Sequence, residues 1–263
     1  VPTVLMHSTH MKNRRHFLAS VPALAGLCAA TPGFAADVPA TDAELQRQMA
    51  GKLTAELNDA AVAADETGYL LDTFFAWTPP TVDAGQIDTI VAYSFGNRAA
   101  ASGSAPVPGP VNEAIADAVF QLRRKVAAPI VAQQEVASVL ASKYGLSAGV
   151  TSIPLPAAPA SAGNVVPTPD GVAAAIVKQA GAAAALGKVG IVTHQDQASI
   201  AVQMSNAAGM QAAVPAGVSL PSAYDASAQQ PVQRRRDLYL LGIVATRLGL
   251  LRLALIKQEY PNG

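Results

Sequence analysis

The chain has 263 residues, 18 basic and 18 acidic side chains, and one cysteine, Cys28. A single cysteine excludes a disulfide framework and a thiolate zinc site. Mean hydropathy is positive, but alanine supplies much of it, so it does not by itself indicate a membrane protein.

The beginning of the chain reads as a targeting segment. Met11-Lys12-Asn13-Arg14-Arg15-His16-Phe17-Leu18 is a basic stretch carrying paired arginines, and an apolar run over 19–30 follows, then Gly33-Phe34-Ala35-Ala36. Basic, apolar and small residues in that order predict an export signal over 1–35, cleaved after Ala35, with 1–10 as a possible upstream extension. The apolar part is too short, and too broken by Pro22, to span a membrane. Arg14-Arg15-His16-Phe17-Leu18 resembles a twin-arginine signal, with Asn13 in place of the usual Ser or Thr. The expected location is the periplasm. Cys28 sits after Leu27, where a lipidated cysteine needs a small residue, and reads as part of the signal. Lys12, Arg14 and Arg15 leave with that signal and no acidic residue does, so the mature chain is mildly acidic. A nucleic-acid partner would need a basic face and is not expected.

Residues 36–86 read as a helical arm. Leu45, Met49, Leu53 and Leu57 recur every four residues and predict a helix over 37–65, with Thr41 and Glu44 as its capping box. A dense apolar patch over 69–77 contains Phe74, Phe75 and Trp77, which offer a possible partner surface. Pro79-Pro80 closes it.

Residues 87–263 alternate strand and helix. The β-rich run 88–94 ends at Phe95-Gly96-Asn97-Arg98, and a loop rich in small residues leads to a helix over 111–125. A strand over 129–132 is followed by a helix to Gly145, a strand over 150–154, and a low-complexity connector over 155–166. A helix over 172–186, a strand over 189–193, a helix to Gly209 and a strand over 211–214 come next. The final helix is expected over 232–258. Its apolar stretch, 238–256, carries Arg247 near its middle, which argues for packing on a sheet rather than crossing a bilayer. The fold class is therefore α/β: a Rossmann-like open parallel sheet with helices on both faces, preceded by the helical arm. Right-handed crossovers bring the strand ends to one sheet edge. Gly96, Asn97, Arg98, Gln134, Glu135, Thr168, Thr193 and Gln197 are the expected ligand-binding residues there. Arg98 is the expected anchor for an anionic ligand.

Ala92-Tyr93-Ser94-Phe95-Gly96 approximates the nucleophile elbow of α/β-hydrolases, and Asp170 and His194 follow in the order such a triad needs. Ser94, Asp170 and His194 are thus the candidate catalytic residues. The proline-rich stretch after Ser94 is unlike an elbow, which enters a helix directly. Glu135, Asp170, Asp196 and His194 make a poor metal set, and none is assigned. No Gly-x-Gly-x-x-Gly or Walker-type loop exists, so no cofactor is named.

The order of Gly96, the loop to Pro110, the helix from Val111, the strand at Ile130 and Glu135 resembles the ElyC/SanA/YdcF family of bacterial envelope proteins. Thr168-Pro169-Asp170-Gly171, Val192-Thr193, Pro215 and Tyr224-Asp225 echo its later motifs. The chain departs from that pattern at Asp170, Gly171, Gln197 and Ile200. The resemblance implies an exported Rossmann-like domain in envelope or peptidoglycan upkeep, expected to bind a small polar or phosphorylated ligand. The other readings are a serine hydrolase and a non-catalytic interaction module.

Overall fold

The computed structural model describes residues 42–74, 78–100, 106–154 and 168–260. The expected export signal, Thr41, Phe75, Trp77 and the connector 155–166 lie outside these residues, as do the side chains of Phe74, Arg247 and Arg252.

The arm begins as two helices, α1 (Asp42–Leu57) and α2 (Ala60–Phe74), where periodicity had predicted one helix ending near Asp65. The break has a local cause. Asn58 adopts φ 51°, a left-handed conformation that asparagine tolerates better than most residues. Asp59 Oδ1 then accepts the N–H groups of Ala61 and Val62 at 3.0 and 3.1 Å, capping the second helix. Leu45 is buried, and Met49 and Leu71 pack beside it against the core of the sheet domain.

Six strands follow: β1 (Thr81–Val82), β2 (Thr89–Ala92), β3 (Ile130–Gln133), β4 (Val150–Ile153), β5 (Lys188–Val192) and β6 (Gln211–Pro215). They form one parallel sheet in the order β1-β6-β5-β2-β3-β4. Strand β1 escaped periodicity because two residues carry no alternation; it pairs Thr81 with Val214 and Val82 with Pro215 at the sheet edge. Two interior strands, β2 and β3, are buried along their whole length, as a sheet covered on both faces requires.

Alternation assigns the faces. Ile90, Ala92, Ile130 and Val192 meet α3 (Pro110–Lys125), α4 (Gln134–Tyr144) and α7 (Arg236–Glu259) in one core. Val91, Val131, Val189 and Ile191 meet α5 (Pro169–Ala180) and α6 (Gln195–Ala207) in the other. Two helices are shorter than expected. Helix α5 stops at Gly181, and 183–186 continues as a 3₁₀ turn; α7 starts at Arg236 because Pro231–Gln233 forms another. Among the described residues, no helix is long and apolar enough to cross a membrane.

From β2 the chain builds outward through β3 and β4, then returns to place β5 on the other side of β2. The connection therefore reverses between β2 and β5, and open α/β sheets bind ligands in the crevice beyond the strand ends at such a point.

Candidate functional site at the switch point

The end of β2 is held by side chains from four other parts of the chain. Ser94, Phe95 and Gly96 leave the strand with three successive backbone N–H groups that lie outside the sheet ladder. Gln133 Oε1 accepts from Ser94 at 2.7 Å, Asn112 Oδ1 from Phe95 at 2.9 Å, and Gln233 Oε1 from Gly96 at 2.9 Å. Gln197 Nε2 makes a long hydrogen bond, 3.4 Å, to the Ser94 carbonyl. Gly96 has φ 70°, and a Cβ there would press on Val111 Cγ2 at 3.2 Å, so this turn requires glycine.

A cleft of about 280 Å³ opens over this strand end. Its floor is Tyr93, Ser94, Asn97, Gln133 and Gln197. Thr168, Pro169 and Val172 of the α5 start form one wall, and Tyr239, Ile243 and Thr246 of α7 another. The segment 216–235 straps across the remaining side with Gln230, Val232 and Gln233. Burial pushes the Tyr93 hydroxyl up to about 12, although its 2.7 Å bond to Ser205 opposes this.

Behind the floor lies a buried relay. Asn112 Nδ2 donates to Asn97 Oδ1 at 2.7 Å, and Asn97 Nδ2 donates to Glu135 Oε1 at 3.0 Å. Glu135 is 1% exposed and its Oε2 has no hydrogen-bond partner. Burial raises its pKa; its own backbone N–H and the Ser94 hydroxyl oppose this.

The expected catalytic trio does not form a hydrogen-bonded chain. Asp170 is exposed on the first turn of α5. His194 is fully buried as the cap of α6, its Nδ1 accepting the Asp196 N–H at 3.2 Å. Its ring stacks on Phe95 at 4.2 Å and meets the edge of Tyr224 at 4.6 Å. Nε2 is buried without a hydrogen bond. Burial lowers the His194 pKa; the Asp196 charge and the Ser222 and Ala223 backbone pull the other way.

Of the expected ligand-binding residues, Asn97, Thr168 and Gln197 line the cleft together with Ser94. Gly96 shapes the turn, Glu135 lies beneath Asn97, and Gln134 opens α4. Thr193 is wholly buried with its hydroxyl unpartnered. Arg98 pairs with neither Glu135 nor Asp196. Its guanidinium grips Asp225 of the strap, with Nε–Oδ2 at 2.7 Å and Nη2–Oδ1 at 3.3 Å. Asp196 is held by Tyr224 at 2.7 Å and by Arg236 Nε at 3.0 Å. Both pairs fasten the strap and the start of α7 to the strand-end edge, and Gln229 adds a backbone N–H to the Asn97 carbonyl at 2.7 Å. Among the described residues, no group of three acidic or histidine side chains could hold a metal ion.

No family model, curated protein or solved structure matches this chain.

The loop after Arg98 is closed at its base. Arg98 and Val107 exchange both backbone hydrogen bonds, at 2.9 and 3.0 Å. Gly109, the cap of α3, lies so close that a Cβ would collide with the Gly96 carbonyl oxygen.

Sequence reasoning missed Asn112, Gln233, Tyr239 and Thr246. Asn112 had a signal: it is a polar residue beside Val111 on the buried side of α3. The others come from the strap and the last helix and had none.

Proposed function

We propose that the protein binds a small uncharged polar ligand in the switch-point cleft, as an exported Rossmann-like protein of the cell envelope. The observation that carries this reading is the capture of three successive N–H groups by Gln133, Asn112 and Gln233. Phosphate sites in α/β folds aim such groups at the ligand; here side-chain oxygens already occupy them. Among the described residues no charged side chain lines the cleft, and Arg98 is engaged by Asp225. An anion placed between these walls would lack the compensation that a buried charge needs. The envelope assignment rests on the expected export signal and on the family resemblance.

The same captures weigh against the serine-hydrolase reading. In a nucleophile elbow, the N–H after the serine stabilises the oxyanion, but Phe95 gives that group to Asn112. His194 makes no hydrogen bond to Ser94 or Asp170.

The test is calorimetric titration of the mature protein with N-acetylglucosamine and with its 6-phosphate. The neutral sugar is expected to bind at least about tenfold more tightly, since the phosphate must lose solvation without gaining a cation. Tighter binding of the phosphate would overturn the proposal. A fluorophosphonate adduct on Ser94 would favour the hydrolase.

A further inference from the structure

The cleft offers a fixed pattern of donors and acceptors because its glutamines are oriented by the backbone. Gln133 Oε1 must face the Ser94 N–H, and Gln233 Oε1 must face the Gly96 N–H. Turning either amide around would set N–H₂ against N–H and leave two donors opposed. Both residues therefore keep their amide N–H₂ as the unengaged group, and neither nitrogen has a partner among the described residues. Gln197 is oriented oppositely. Its Nε2 donates to the Ser94 carbonyl, so its Oε1 remains as the acceptor. The Ser94 hydroxyl lies by the Glu135 carboxylate and can act in either sense.

These groups come from separate elements. Gln133 ends β3, Gln197 lies in the first turn of α6, and Gln233 belongs to the strap. Val172, Ile200, Val232 and Ile243 supply apolar surface between them. At about 280 Å³ the cleft falls just below the usual range for ligand cavities, roughly 300–1,000 Å³. That volume suits one sugar ring or two amino-acid residues.

We propose that the cleft recognises a neutral secondary amide: the carbonyl oxygen accepts from Gln133 and Gln233, and the amide N–H donates to Gln197. This rests on the reading of the cleft as a site for uncharged ligands and narrows it to one functional group. A ketone or an ester would satisfy the two donors but leave Gln197 Oε1 without a donor. A carboxylate would do the same and add an unpaired charge. An acylated amino sugar and a peptide bond both carry the group, each with apolar carbon beside it for Val172 and Ile200.

Titration with three uncharged probes tests the assignment and separates its two sources. The probes are N-acetylglucosamine, N-acetyl-alanine methylamide and glucose, which lacks the amide. At least one amide is expected to bind tenfold or more tightly than glucose, and the better one identifies the source as sugar or peptide. Gln133→Glu keeps an oxygen for the Ser94 N–H and turns the free donor into an acceptor, so it is expected to weaken the amide at least tenfold in protein that circular dichroism shows to be folded. Gln233→Glu makes the same exchange on the strap should the first variant fail to fold. If glucose binds as tightly as both amides, the amide assignment falls while the uncharged-ligand reading stands. Binding of neither amide also overturns the assignment. If only N-acetylglucosamine 6-phosphate binds, both fall.

Discussion

Phe95 donates its backbone N–H to Oδ1 of Asn112, 2.9 Å away, so a buried side chain on α3 fixes the course of the chain just beyond β2. Asn112 is 0% exposed, and its Nδ2 also supports Asn97. Asn112→Ala removes both bonds and leaves the Phe95 N–H buried without an acceptor. The expected loss of stability is about 2–4 kcal/mol, combining the orphaned donor with the lost Asn97 contact. Chemical denaturation measures it, and a loss below about 0.5 kcal/mol would mean that the strand end holds its shape without this residue.

Glu135 gives the fold a pH dependence of unusual sign for a carboxylate. Its pKa is raised in the folded state by burial, so the native protein holds this proton more tightly than the unfolded chain does. The contribution of Glu135 to stability therefore declines as pH rises from the ordinary glutamate value through the raised one. Glu135→Gln can still accept from Asn97 and carries no charge. Its melting temperature is expected to gain on wild type as pH rises above the ordinary glutamate value, about 4.3. A difference that stays constant as pH rises would contradict the burial argument.

His194 titrates against stability on the acid side. Burial lowers its pKa, so stability falls as pH drops below the ordinary histidine value, near 6.5, where the unfolded chain takes up the proton first. Because Nδ1 accepts from Asp196, the neutral ring must carry its proton on Nε2. Long-range proton–nitrogen NMR correlations are expected to report that tautomer at about pH 6.5. A proton on Nδ1 would break the capping geometry.

Arg98 fastens the strap. Its side chain is 45% exposed while Asp225 is 7% exposed, so the pair lies between a surface bridge and a buried one. Arg98→Ala is expected to lower the melting temperature only slightly and to leave cleft affinity for an uncharged probe unchanged within about twofold. Arg98 holds the Asp225 pKa down, so the stability from this pair is present above the ordinary aspartate value and is lost as pH falls through the lowered one. A large loss of affinity in Arg98→Ala would return the residue to the role of ligand anchor.

The sheet was legible because strands buried on both faces are short continuous apolar runs, and Ile90–Ala92, Ile130–Ala132 and Val189–Val192 read that way without help from partners. Strand β1 and the break at Asn58 were not legible. The first exists only because β6 lies beside it, and the second depends on one residue's tolerance of positive φ. Ser94, Asn97 and Gln197 were found as polar residues at strand ends, a local signal. Their partners were not local: Gln133 lies 39 residues from Ser94 and Gln233 lies 137 from Gly96. The order of Ser94, Asp170 and His194 suggested a triad, but chain order carries no information about which face of a strand end a side chain takes. The same limit hid Asp225 as the partner of Arg98.

The two-way bridge between Arg98 and Val107, with Gly109 pressed against Gly96 just after it, separates loop length from site geometry. The strand-end turn and the start of α3 are tied to each other directly, so chain inserted between residues 99 and 106 enters a ring that is already closed. Each doubling of such a ring costs only about 0.6 kcal/mol in closure entropy. This excursion is accordingly the place where a reporter peptide or a small domain can be grafted a few residues from the cleft without moving Ser94 or Asn112.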